Sequence, residues 1–432
     1  MSGRVLKLRG LLTAHFPSFG LLFTTSSSLV STMVVASGLG AAFWWVAARS
    51  FRPEEVGIAA GAVSAMLLLG SVSVLGLGTL LIRELPRHPP DQPSLVWTAS
   101  VIAGGVGALA GTLFTVLVPS FPGELGVGAG LLAIGLFASG VAVTTVAAVI
   151  DHALLGLLRT GQQLLRTVVF SVGKLALLVG LGIWAGAVTG TAIFAMWVAG
   201  AVLSLLVIGA VAAARGADLR PAFAWHLVPG LGQTALAHHF LNTALQVPTL
   251  GLPVLVAVLA PPVVTAQFYI AWMIASLSFY APLALAQTLY AVGSRATHEV
   301  WAHARITVVA SFAFGVLAVV GLAFLGGPLL SVFGETYAAA SGAIVLLAAG
   351  SLPLVIKDHY HTVYRIAGRA GTAGLWCAVG AGAELAAAGI GLSVGGLVGL
   401  ASAWLTVLIL EAAFMGPAMY RAARQGMPHG TR

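Results

Sequence analysis

"QFYIAWMIASLSFYAPLALAQTLYAVGSR" (Gln267–Arg295) carries no charge before its final arginine, yet holds Gln267, Tyr269, Trp272, Ser276, Tyr280, Gln287, Tyr290 and Ser294. A helix rises 1.5 Å per residue, so a run of this length crosses the roughly 30 Å of a bilayer's hydrocarbon core. At 100° per residue, Tyr269, Ser276, Tyr280, Gln287 and Ser294 fall within about 20° of one line, with Trp272 and Tyr290 on its flank. The opposite face is Ala, Leu, Ile, Met and Phe. Polar side chains turned into hydrocarbon cost free energy. The pattern therefore predicts a membrane helix with one face on lipid or neighbouring helices and the other on a wet cavity.

The rest of the chain agrees with that class. Of 432 residues, 59% are hydrophobic and 7% charged, and mean hydropathy is +1.02. A soluble chain carries about a quarter charged residues, so this one cannot cover a water-facing surface. From Pro221 to Ser294 there is no Asp, Glu, Lys or Arg at all. The single cysteine, Cys377, excludes an internal disulfide. The apolar stretch behind the basic "MSGRVLKLRG" runs to about Ala48, too long for a cleaved signal, and reads as a retained first span.

Charge-free runs between polar punctuation give twelve expected spans, near 21–48, 56–82, 94–118, 126–150, 167–186, 190–213, 229–259, 264–292, 305–325, 340–366, 371–391 and 394–419. With the N-terminus in the cytoplasm, seventeen of the twenty Lys and Arg fall inside, Lys357 and Arg365 among them. Arg49 and Arg52 fall outside, and Lys174 lies within the fifth span. This is the positive-inside distribution, and it places both termini in the cytoplasm of a multi-pass cell-membrane protein. Positive net charge here reports topology, and no nucleic-acid partner is expected.

A weak repeat near 209 residues divides the chain. "RPEEVGIAAGAVSAM" (Arg52–Met66) matches "PPVVTAQFYIAWMIA" (Pro261–Ala275), and "DHALLGLLRTG" (from Asp151) matches "DHYHTVYRIAG" (from Asp358), with Gly161 falling on Gly368. The reading is an all-α polytopic membrane protein of two six-helix lobes, related by a pseudo-two-fold along the membrane normal. Residues 1–213 form the first lobe, 214–228 a cytoplasmic linker, 229–420 the second lobe and 421–432 a basic tail. A path between such lobes is the natural place for a substrate.

The seventh span repeats the polar design with Thr234, His238, Asn242 and Gln246 four apart, and His239 and Thr243 beside them. Pro248 and Pro253 are expected to bend or break it. The first span offers a softer stripe of Thr24, Ser27, Ser28 and Ser31. The cavity-lining set is then Lys174, His238, His239, Asn242, Gln246, Tyr269, Trp272, Ser276, Tyr280 and Gln287, with Arg49 and Arg52 at the outer mouth. Lys174, about 11 Å into its span, and His238 are expected to meet across the lobe interface. Glu384, in the eleventh span, is the first candidate for proton or sodium coupling, followed by Asp151 and Asp358. Glu411 is expected to reach back to the membrane surface. There is no GxxxxGK[ST] nucleotide loop, and the adjacent His238–His239 pair has no carboxylate near it, so no metal, cofactor or catalytic site is expected.

Three stretches resemble the Wzx-like polysaccharide flippases of the multidrug/oligosaccharidyl-lipid/polysaccharide exporter superfamily. They are "FWWVAARSFRPEEVGIAAGAVSAMLLLGSVSVLGLGTLLIRELPR", "AQFYIAWMIASLSFYAPLALAQTLYAVGSR" and "FGETYAAASGAIVLLAAGSLPLVIKDHYHTVYRIAGR". The first carries Arg-x-x-x-Pro-Glu-Glu-x-Gly and Leu-Gly-x-Gly. The resemblance implies a V of two lobes alternating between inward- and outward-open states, with an isoprenoid pyrophosphate-linked oligosaccharide as cargo and polysaccharide-assembly proteins as candidate partners. In this sequence Lys174 is expected to be the only cation buried in a span. Three other readings remain open: an ion-coupled drug or metabolite exporter of the same fold, a membrane glycosyltransferase or polymerase, and a non-transporting scaffold.

Overall fold

A computed structural model describes residues 36–118, 130–184, 188–216, 220, 223–225, 233–293 and 300–424, with the side chains of 233–238 outside the description. The Thr24–Ser31 stripe therefore lies outside the described residues, as do the side chains of Thr234 and His238. Every regular element among the described residues is helical.

The described part of span 1 is the helix 36–50. Span 2 is Pro53–Ser73 continued by Leu77–Glu84, and spans 3 to 6 are Gln92–Leu117, Leu131–Gly156, Thr160–Trp184 and Gly190–Ala214. Spans 7 to 9 are Gln233–Leu259, Pro262–Gly293 and Val300–Phe333. Span 10 is assembled from the 3₁₀ turn Glu335–Ala340 and the helices Ser341–Ala349 and Ser351–Ile366. The 55-residue stretch Ala370–Arg424 breaks at Gly395 and Gly396, making span 11 of 370–394 and span 12 of 397–424. Twelve helical spans in two sets of six result among the described residues, the first of them described only from residue 36. Pro248 and Pro253 sit inside an unbroken span 7, so the expected break does not occur.

Three positions of the signature at the head of span 2, Pro53, Glu55 and Gly57, have a local physical role. Pro53 opens the helix in its first turn, where its missing N–H costs nothing. Glu55 Oε2 accepts from Gly190 N at 2.6 Å and ties the start of span 6 to span 2. Gly57 lies so close to span 8 that a Cβ there would stand 1.8 Å from the Pro262 carbonyl oxygen, and one on Gly61 would stand 2.6 Å from the Ala257 Cβ. This is a small-xxx-small crossing, in which missing side chains let backbones touch. At the other end, Leu75 and Gly76 take positive φ and turn span 2 into its short continuation. A Cβ on Gly78 would meet the His152 ring.

The repeat is visible in the fold, with one correction to its register. Pro53 and Pro262 both start helices, and His152 and His359 each place Nδ1 2.7 Å from the carbonyl four residues earlier. The turn that closes each unit is built on Leu158 and Gly368, both at positive φ. It is sealed by Arg159 N donating to Leu154 O and Arg369 N to Tyr364 O. Leu158, not Gly161, is thus the counterpart of Gly368, because the second half carries about one more helical turn after its Asp-His pair.

Packing is uneven along the bundle. One apolar core runs through both lobes, from Phe43, Trp44, Val56 and Met66 to Leu252, Phe268, Ile344 and Trp404. Toward the other end it divides. Leu77, Leu81, Leu95 and Val149 form a core belonging to the first lobe, while Leu241, Leu289, Tyr360, Cys377 and Met415 form one belonging to the second. Apolar burial joins the lobes where spans 2 and 8 begin and leaves them separately packed where those spans end.

Candidate functional site

A cavity of about 650 Å³ lies in that divergence, lined by spans 2, 7, 8, 10, 11 and 12. Span 8 supplies Tyr269, Trp272, Ser276, Tyr280, Gln287 and Tyr290, the described members of its polar line and flank. The first half of the line is covered and the second half open: Tyr269 and Ser276 are half-buried and Trp272 buried, whereas Tyr280 (46%), Gln287 and Tyr290 are exposed. The cavity is therefore closed where span 8 begins and open where it ends. Gln267, off that line, instead donates to Thr336 O at 3.0 Å.

Span 7 contributes Asn242 and Gln246, and also a feature its prolines create. Pro253 has no N–H for the carbonyl of Thr249, four residues earlier. The Trp272 indole fills the place, donating to Thr249 O at 3.1 Å and fastening spans 7 and 8 together. Gln246 Oε1 accepts from Ser71 Oγ of span 2 at 3.2 Å, a link between lobes at the cavity's edge. His239 is half-buried beside Thr243, 3.5 Å away, and does not line the cavity.

Span 10 holds the residues that sequence reasoning placed elsewhere. Lys357, counted with the cytoplasmic cations although it falls within the expected span 340–366, lies nine residues inside the helix end at Ile366, about 13 Å deep. Its side chain is 3% exposed, with Nζ 2.5 Å from Glu384 Oε1 and 2.7 Å from Glu411 Oε2. Glu384 (1% exposed) also accepts from the Trp404 indole at 2.7 Å. Glu411 does not reach the membrane surface as expected, since it is 9% exposed and turned inward to Lys357. Room for it comes from Gly380, where a Cβ would stand 2.0 Å from Glu411 Oε1. Asp358, His361 and Arg365 line the cavity from the same span, and Arg365 donates to the Asn242 side chain. A ring cluster of Trp272, Phe279 and Trp404 closes the wall above them, and the break of span 10 at Gly350 admits the Trp404 ring.

Lys174 is placed differently from expectation. Span 5 begins at Thr160, so Lys174 sits mid-helix about 21 Å in. It is 2% exposed and caged by rings of its own lobe, with Nζ 3.3 Å from the Trp197 centroid, 4.4 Å from Phe170 and 5.2 Å from Phe43. It does not line the cavity. Nor is it the only buried cation in a span. Lys357 is one, and Arg166 another, its Nε donating to Asp151 Oδ1 at 2.6 Å and its NH2 to Oδ2. Asp151 is thus engaged within the first lobe, away from the cavity. Arg49, at the end of span 1, and Arg52, at the head of span 2 and 3.4 Å from Glu54, are exposed, and neither lines the cavity. Among the described residues no group of three His, Cys, Asp or Glu side chains is arranged to hold a metal ion.

No known family and no curated protein matches this sequence. Solved structures do. The chain is similar to the inward-facing conformation of a multidrug resistance MATE family transporter of the MOP superfamily, at 13% identity over 92% of this chain and 98% of that one, TM-score 0.69. An outward-facing conformation described in the same terms matches at 13% identity over 94% and 95%, TM-score 0.62. A MOP superfamily transporter from Pyrococcus furiosus, described as having a binding pocket of reverse polarity, matches at 12% identity over 94% and 95%, TM-score 0.54. At such identities the likeness establishes the fold: a MATE-like bundle of twelve membrane helices in two six-helix lobes.

Proposed function

We propose that this chain is a membrane transporter working by alternating access, and that it moves a lipid-linked oligosaccharide or polysaccharide precursor from the cytoplasmic to the outer leaflet of the cell membrane. The observation that carries the proposal is the cavity walled mainly by the second lobe, with Ser64 and Leu67 of span 2 on its first-lobe side, closed where the core is continuous and open where it divides. Its wall suits a sugar. Tyr269, Trp272, Tyr280 and Tyr290 offer ring faces, and Asn242, Gln246 and Gln287 offer amides. A hydroxyl carried unpaired into hydrocarbon costs several kcal/mol, so an oligosaccharide meets a barrier of tens. A lining of donors and acceptors replaces the lost water. The positive-inside distribution turns the open end to the cytoplasm, the side from which a lipid-linked precursor would load.

A second reading is favoured by Lys357 and Glu384 in the cavity wall: an ion-coupled exporter of a drug or metabolite on the same fold. Reconstitution separates the two. In proteoliposomes carrying a fluorescent isoprenoid pyrophosphate-linked glycan in one leaflet, the protein should speed appearance of the sugar in the other, read by glycosidase access. Tyr280→Ala with Gln287→Ala should slow this at least tenfold with unchanged protein level. Movement of organic cations without movement of the glycan would decide for the exporter.

A further inference from the structure

The cluster in the second lobe has a charge imbalance that its surroundings do not relieve. Two carboxyl groups, Glu384 and Glu411, converge on one ammonium, Lys357, and all three are nearly out of contact with solvent. Lys357 and Glu384 are hydrogen-bonded and Trp404 completes Glu384. Glu411 lies 2.7 Å from Nζ at an angle that makes no hydrogen bond, so both its oxygens are buried and without a hydrogen-bond partner. An ionised carboxylate can only accept, whereas a protonated one carries an O–H that donates. A net negative charge buried at mid-membrane costs several kcal/mol, and a bound cation removes it.

We propose that this cluster binds one exchangeable proton, carried on Glu411, while Lys357 fills the place that a metal cation such as sodium would otherwise take. Sodium coordinated by two carboxylates needs the space between them, and the ammonium occupies it at 2.5 and 2.7 Å. Glu384 and Lys357 line the cavity and Glu411 lies behind them, so the proton enters from cavity water at Glu384 and comes to rest on Glu411. The other ionisable groups around the cluster are Cys377 of span 11 and Asp358 and His361 of span 10. The coupling of this proton to cargo movement rests on the transporter reading; the proton site does not.

The test uses purified full-length protein in lipid nanodiscs. An infrared difference spectrum between acid and alkaline buffer should show the carbonyl stretch of a protonated carboxylic acid. That band should vanish in Glu411→Gln, persist in Asp358→Asn and shift in Glu411→Asp, which keeps an acid and covers the case in which the amide variant fails to fold. Replacing potassium by sodium at equal ionic strength should leave the melting temperature of the wild type unchanged and raise that of Lys357→Met. A band indifferent to both Glu411 variants overturns the proton assignment, as does sodium stabilisation of the wild type. No sodium response in Lys357→Met overturns the role given to the ammonium. Protein that shows the Glu411 band and moves no cargo keeps the site and loses the transporter reading.

Discussion

At the scale of single residues, the second lobe depends on one missing methyl group. A Cβ on Gly380 would stand 2.0 Å from Glu411 Oε1, so Gly380→Ala must push that carboxylate off Lys357. Overpacking of this kind costs about 1–3 kcal/mol. Thermal unfolding in detergent should show a clear loss for Gly380→Ala and none for Gly382→Ala, on the same helix with nothing within 4 Å of the added atom. Removing the ammonium is harsher, since breaking a buried ion pair costs about 3–5 kcal/mol. Lys357→Met should therefore unfold earlier still, and Glu411→Gln added to it should recover part of the loss. None of this was legible in "SLPLVIKDHYHTVYRIAGR", where the expected span 340–366 runs through Lys357 while its charge counts with the cytoplasmic cations. The partners that make Lys357 a buried residue are 27 residues away on span 11 and farther still on span 12. Lys174 was legible as a charge inside a span, but its aromatic cage was not, because Phe43 and Trp197 come from other helices.

Elements report how the lobes hold together. Span 2 is the strut, lying against spans 7 and 8 through Gly57 and Gly61. Span 1 adds Trp44, whose ring packs 4.6 Å from that of Tyr269 across the same interface. Gly57→Val places a branched side chain where the Pro262 carbonyl lies and should favour states in which this end is parted. A cysteine at Tyr269 should then react with a water-soluble thiol reagent about tenfold faster in the Gly57→Val background, the factor corresponding to about 1.4 kcal/mol of the overpacking cost. Gly105→Val, with open space around it, should change nothing. Equal rates in the two backgrounds would remove Gly57 from the closure. The polar line of span 8 was readable because helical period is a local property of sequence. The fate of Pro248 and Pro253 was not, because the Trp272 indole that satisfies Thr249 belongs to another span.

For the whole molecule, the decisive feature is a core that is single at one end and double at the other. It predicts a gradient of water access. In a Cys377→Ala background, cysteines at Gln287 and Tyr280 should label fast and one at Ser276 more slowly, while Ile274, buried on the far face, should stay silent. Uniform labelling would contradict the cavity. Orientation is a separate question, which reporter fusions after Arg87 and at the C-terminus answer; both should read cytoplasmic. Span number and class followed from hydropathy, which is additive along the chain. The register of the repeat did not, since one added turn in the second half moved Gly368 onto Leu158.

The break at Gly395 and Gly396 has a practical consequence. Spans 11 and 12 form a hairpin whose backbones touch at Gly391 and Gly399, and nothing but two glycines separates them, Gly396 at a φ of +59°. Each residue inserted there would rotate span 12 by about 100° and carry Glu411 around its axis toward the lipid. An epitope or fluorescent label grafted into this tip would thus be read fifteen residues away as a lost acid. Anyone tagging the protein for microscopy or pull-down should leave this hairpin alone, however exposed its neighbour Val394 looks.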